Sequence, residues 1–320
     1  MASFNDILKR IEKAIGDFNK QIPSAQKVML PDNEEELRRL DLTDGRIKPT
    51  VANIKVITSI KNKLLKIVLN EDYVGQVKQF IGAFNEVTTL QNEYWKSVES
   101  KFKPSSILKE VKTLAIEDTV SKLTEAGIGT NIESRITDVL KANITTGGSY
   151  KDLTGQLREL LTDTPKSDGL LTRYAKQITT DSINQYSANY TQIVSSDLGY
   201  EWYAYQGSDI KTTRPFCDAM TDFRYFHISE ISRLLAARDL YYTKDGKKTK
   251  VPIYDKTGLP HGLIDGTNAA NFFVRRGGYS CGHQIRPVSE FLVKNQAKDI
   301  YDRVVATQEY KNWKRVNSPT

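Results

Sequence analysis

Between residues 50 and 102 apolar side chains return every three or four positions almost without a break. They are Val51, Ile54, Ile57, Ile60, Leu64 and Val68, then Val74, Val77, Phe80, Phe84, Val87, Tyr94 and Trp95. That period belongs to the α-helix, and it excludes a strand for the whole stretch. Each stripe needs a partner, and the polar run Asn70, Glu71, Asp72 between them predicts a turn that lets two antiparallel helices meet.

The same spacing extends to both sides. Ser3 is a candidate N-cap for a helix over residues 4–21, with Phe4, Ile7, Ile11, Ala14 and Phe18 on one face. Pro23 and Pro31 are expected to bound a connector, and Pro31, Asp32 and Asn33, followed by glutamates, to open another helix. Further helices are predicted over 106–125, 131–143, 149–162 and 169–197. Residues 127–130 and 145–148 read as the loops between them, and Gly199 as the final stop. Ser149 and Asp152 have capping-box spacing.

After Gly199 the texture changes. The aromatic run Tyr200, Trp202, Tyr203, Tyr205 favours a strand. A short helix is expected near 229–238. A hairpin is expected around Asp245 and Gly246, and a final helix over 289–310. The expected fold class is therefore α+β, with a long all-helical N-terminal extension followed by a small mixed C-terminal module. The predicted divisions are a helical arm at 1–165, the module at 166–292, and a C-terminal helix and tail at 293–320.

A chain of 320 residues can bury a core without covalent staples. Its two cysteines lie 64 positions apart, and no apolar leader precedes them, which points to a reducing cytoplasm. No apolar run is long enough for a membrane span, so a soluble protein is expected. The net charge of +7 fits weak, non-specific contact with DNA. The basic residues are interleaved with acids, and no zinc-finger, RNA-recognition or helix-turn-helix pattern accompanies them.

The first 165 residues hold no His and no Cys; the residues capable of chemistry gather in two later runs. Residues 207–217 end on Cys217, and residues 275–288 contain Gly277, Gly278, Cys281, His283 and Pro287. The Gly-Gly pair marks a tight turn, the Cys-x-His spacing puts both side chains on one face of an extended segment, and Pro287 limits the strand that follows. One reading is plain packing, with Asp209 and Arg214 pairing to hold the loop. The other is a structural zinc site of the Cys2His2 type, from Cys217, Cys281 and His283 with His227 or His261 as the fourth ligand. Cys217 and His283 are also the one Cys/His arrangement that could form a catalytic dyad, oriented by Asp209.

Over residues 170–290 these features resemble the phage head morphogenesis family, the minor head proteins of the Mu F type. The resemblance rests on Arg173 near the start of a long helix and on Gly199, Tyr200 and Trp202. It rests further on Asp209, Thr213, Arg214 and Cys217, and on the closing Gly277, Gly278, Tyr279, Cys281, His283 and Pro287. Gly282 stands where many relatives carry Arg. The resemblance implies a structural, low-copy protein of the virion head, made in the host cytoplasm and acting in head morphogenesis at the portal vertex, with a role in genome packaging or ejection. Its implied partners are the portal protein, the major capsid protein or copies of itself, and no enzymatic activity is implied. Two alternatives stay open from the residues: a metal-dependent or Cys/His hydrolase, and a DNA-binding internal head protein.

Overall fold

The structure, a computed structural model, describes residues 2–68, 70–207, 213–236, 239–244, 247–252, 263–264 and 266–317. It is α+β: a long helical N-terminal region, then a small C-terminal module containing two small antiparallel sheets. The chain divides into two compact units, one of residues 1–94 with 112–182, the other of residues 95–111 with 183–320.

The first unit opens with α1 (Phe4–Leu37). Ser3 caps it reciprocally: the Asp6 N–H donates to the Ser3 hydroxyl at 3.3 Å, and the Ser3 N–H to the Asp6 carboxylate at 2.8 Å. The helix runs straight through positions 23 and 31, where a connector was expected. A proline costs an interior helix about 3 kcal/mol because it lacks an N–H. Here that cost is outweighed by a continuous buried stripe, Phe18, Ile22, Ala25, Met29, Asn33 and Leu37, which only an unbroken helix can present.

Next comes a small hairpin, β1 (Leu42–Thr43) and β2 (Arg46–Ile47). Asp44 and Gly45 take φ of 50° and 73° at its tip, the two left-handed residues that a tight hairpin needs. The fully buried Asn53 fastens this segment. It accepts from the Asp41 N–H at 2.8 Å and donates to the carbonyls of Asp41 and Lys48 at 3.0 and 2.7 Å.

The two predicted helices follow as α2 (Val51–Val68) and α3 (Glu71–Val98), but α2 packs chiefly on α1 rather than on α3, and Phe80 of α3 meets Phe18 of α1 with ring centroids 5.4 Å apart. Then come α4 (Ser106–Leu123), α5 (Glu125–Ile128), a single π-helical turn (Gly129–Glu133), α6 (Ser134–Thr145), α7 (Tyr150–Leu161) and α8 (Leu170–Asp197). The loop expected at 127–130 is helical instead. Ile128, Ile132, Ile136, Leu140 and Ile144 are all buried at four-residue intervals, and the wide turn keeps them in line. Among the described residues no helix is long and apolar enough to cross a membrane.

Glu36 is buried beside Lys63 at 2.8 Å and Arg39 at 2.5 Å. The Lys63 hydrogen bond, helped by Ser59 and Arg39, holds its carboxyl down to about 2, against an ordinary value of 4.5. A lowered folded-state value means stability that is present above pH 4.5 and lost as pH falls toward 2. Urea midpoints measured across that window are expected to fall for the wild type and to show a flatter profile for Glu36→Gln.

The second unit is built on the sheet β4-β3-β7, antiparallel throughout. Its central strand is β3 (Trp202–Gln206), and α9 (Pro215–Phe223) leads to β4 (Tyr225–His227). A 3-10 turn (Ile228–Glu230) and α10 (Ile231–Ala236) follow, then the expected hairpin as β5 (Asp239–Lys244) and β6 (Lys247–Pro252). The short α11 (Phe272–Arg275) precedes the Gly-Gly turn, and β7 (Gln284–Val288) follows it as an edge strand. Pro287 sits in that edge, opposite Tyr203, where the loss of an N–H is tolerated.

Alternation along β3 sends Tyr203 and Tyr205 to one face and Trp202 and Ala204 to the other. The first face packs with Phe216, Cys217, Met220, Phe226, Phe272, Phe273 and Ile285. The second is covered by the C-terminal segment, which is not one helix but three: α12 (Glu290–Gln296), α13 (Lys298–Val305) and α14 (Gln308–Asn317). Breaks at Ala297 and Ala306 let Val293, Ala297 and Val304 all reach that face.

Both expected divisions at 165/166 and 292/293 differ from this arrangement. Along α8, Tyr174 bonds the Lys122 carbonyl in the first unit, whereas Asn184 accepts from Gln284 and Ser195 meets Tyr203 in the second. Residues 293–317 belong to the second unit through Trp202, whose ring stacks on Tyr301 at 5.6 Å.

Candidate functional site: a buried thiol and imidazole cluster

The two motif runs meet. Cys217 is carried on the first turn of α9, which Pro215 opens at a helix start where its missing N–H costs nothing. Cys281 and His283 lie on the irregular segment between the Gly-Gly turn and β7. The two sulfurs are 3.9 Å apart, and the Cys281 sulfur is 3.7 Å from His283 Nδ1. The three ligand atoms all lie within 4.8 Å of one another. Their residues are buried, with Cys217 2%, Cys281 7% and His283 7% exposed.

Tyr205, unremarked in the sequence except as a strand former, completes the cluster. Its hydroxyl lies 3.5 Å from the Cys217 sulfur and 3.9 Å from that of Cys281, and its ring stacks on the His283 imidazole at 5.5 Å. The signal was its place two residues beyond Tyr203 on the same face of a strand.

Glycine makes this closeness possible. A Cβ on Gly277 would stand 2.3 and 2.5 Å from the two sulfurs and 3.0 Å from the Tyr205 hydroxyl; one on Gly207 would stand 2.2 Å from the His283 ring. Gly278 takes φ of 91°, as a turn glycine should.

Two arginines hold the frame. Arg214 donates to the Gly277 carbonyl at 3.0 Å and to that of Tyr279 at 2.6 Å, joining the first run to the second. Its expected partner Asp209 lies outside the described residues, as does His261. Arg276 is buried and donates to the carbonyls of His283 and Phe273, the latter at 3.3 Å.

The two sulfurs are shifted in opposite directions. Cys281 is pulled well down, first by the hydrogen bond from Cys217, with His283 and Arg276 adding to it. Cys217 is pushed up by donating that bond and by burial. Burial pushes the Tyr205 phenol up as well, with the sulfurs adding. Neither a known family, nor a curated protein, nor a solved structure matches this chain. What the cluster can do therefore rests on its own chemistry: two soft sulfurs, one imidazole and one phenol, closed off from water.

His227 is not part of it. Its neighbour Phe226 faces the cysteines, so alternation along β4 turns His227 to the opposite face of the sheet. There its ring is caged by Trp202, Tyr310 and Trp313 at 5.1, 4.8 and 5.0 Å. Nδ1 accepts from the Ser229 N–H at 3.1 Å, which leaves the ring proton on Nε2, 3.4 Å from Glu201. Burial lowers its basicity. His227 is a helix-capping core residue.

Proposed function

We propose that this chain is a structural minor head protein of a tailed bacteriophage, acting in head morphogenesis at or near the portal vertex. The family resemblance supplies the biological role, and one observation supports it. The residues carrying the resemblance fasten to each other, Arg214 to the carbonyls of Gly277 and Tyr279, and Cys217 to Cys281. Motif residues spent on closing a fold suit a building block. A Cys/His hydrolase needs its sulfur open to substrate, and here both sulfurs are buried beneath aromatic rings.

The test uses the full-length chain, tagged and expressed during infection or together with the portal and major capsid proteins of its own phage. The chain is expected to co-sediment with portal-containing particles and to be lost from shells assembled without portal. Its absence from portal-containing particles would overturn the reading.

A further inference from the structure

We propose that Cys217, Cys281 and His283, closed by the Tyr205 hydroxyl, form a structural zinc site. The distances carry this. With Zn–S of about 2.3 Å and Zn–N of about 2.0 Å, the edges of a tetrahedron are about 3.8 Å between sulfurs and about 3.5 Å from sulfur to nitrogen. The chain sets 3.9 Å between its sulfurs and 3.7 Å from Cys281 to His283 Nδ1. A disulfide would bring the sulfurs to about 2.05 Å, and both cysteines are free.

The fourth corner has an oxygen facing it. The Tyr205 hydroxyl stands at edge-like distances from both sulfurs, so no second histidine is needed, and His227 is fixed on the other side of the sheet. Charge agrees: two thiolates neutralise a divalent ion, giving a site of zero net charge, which suits a pocket sealed from water. Thiolate with imidazole in a closed tetrahedron selects zinc over the hard, oxygen-seeking cations. The ion would tie α9, β3 and the approach to β7, closing the 64-residue span between the cysteines.

The full-length protein, purified without chelator, is expected to carry about one zinc per chain by elemental analysis. Cobalt exchanged into it should show sulfur-to-cobalt charge-transfer bands and the intense visible absorption of tetrahedral coordination. Tyr205→Phe keeps three ligands and the ring packing, and is expected to bind zinc roughly ten- to a hundredfold more weakly. Cys281→Ser should abolish the charge-transfer signature; should that variant fail to fold, the wild-type cobalt spectrum decides. Folded wild-type protein that takes up neither metal, or a cobalt spectrum without sulfur bands, overturns the proposal. Tyr205→Phe with unchanged affinity would remove Tyr205 from the site.

Discussion

Gly277→Ala is expected to unfold the C-terminal unit at a markedly lower denaturant concentration than the wild type, a loss of about 3 kcal/mol. The added methyl would meet two sulfurs and a hydroxyl at once, at 2.3, 2.5 and 3.0 Å, and none of these is the loose end of a flexible side chain. Cys217 is pinned by its helix, Tyr205 by the central strand, and Gly277 itself by Arg214. With no direction in which to give, the turn must leave its place and release the Arg214 bonds with it. Urea titration followed by hydrogen exchange on β3 and β7 would measure this. Gly282→Ala is the control, because a Cβ there meets nothing within 4 Å, and it should match the wild type. Equal midpoints for both variants would show that the cluster is looser than its distances imply.

Trp202→Ala is the second large effect, a loss of about 3–5 kcal/mol. The indole is 1% exposed and lies between the His227 ring at 5.1 Å and the Tyr301 ring at 5.6 Å. Its N–H finds no partner among the described residues, so its contribution is packing alone. Trp202→Phe should therefore recover most of the loss, since no hydrogen bond goes missing. Because Tyr301 belongs to α13 and α14 reaches the same region through His227, the alanine variant should expose residues 298–317 to protease before the rest of the unit opens. Limited proteolysis at increasing temperature reads this directly.

The helical period was legible wherever the apolar spacing was long. The helices α2, α3 and α8 all lie where that spacing puts them. Prolines misled, because local propensity says nothing of how deeply Ile22, Ala25 and Met29 are buried. The hairpin β1–β2 escaped notice although its signal, Asp44 followed by Gly45, is in plain view; strands of two residues carry too little alternation to stand out.

In the site, Cys217, Cys281 and His283 were named correctly as neighbours. His227 was grouped with them by residue type, and only the strand register shows that it points the other way. Tyr205 and Arg276 were missed for the opposite reason: a strand tyrosine and a surface-type arginine carry no mark that they will be buried.

The three-stranded sheet ends on a strand of three residues at one side and, at the other, on a strand interrupted by Pro287. Neither margin gives an intruding polypeptide a long, regular row of main-chain donors to zip onto. At high protein concentration such a sheet resists templating its own aggregation. Association between copies through this sheet is then left to side chains rather than to shared strands.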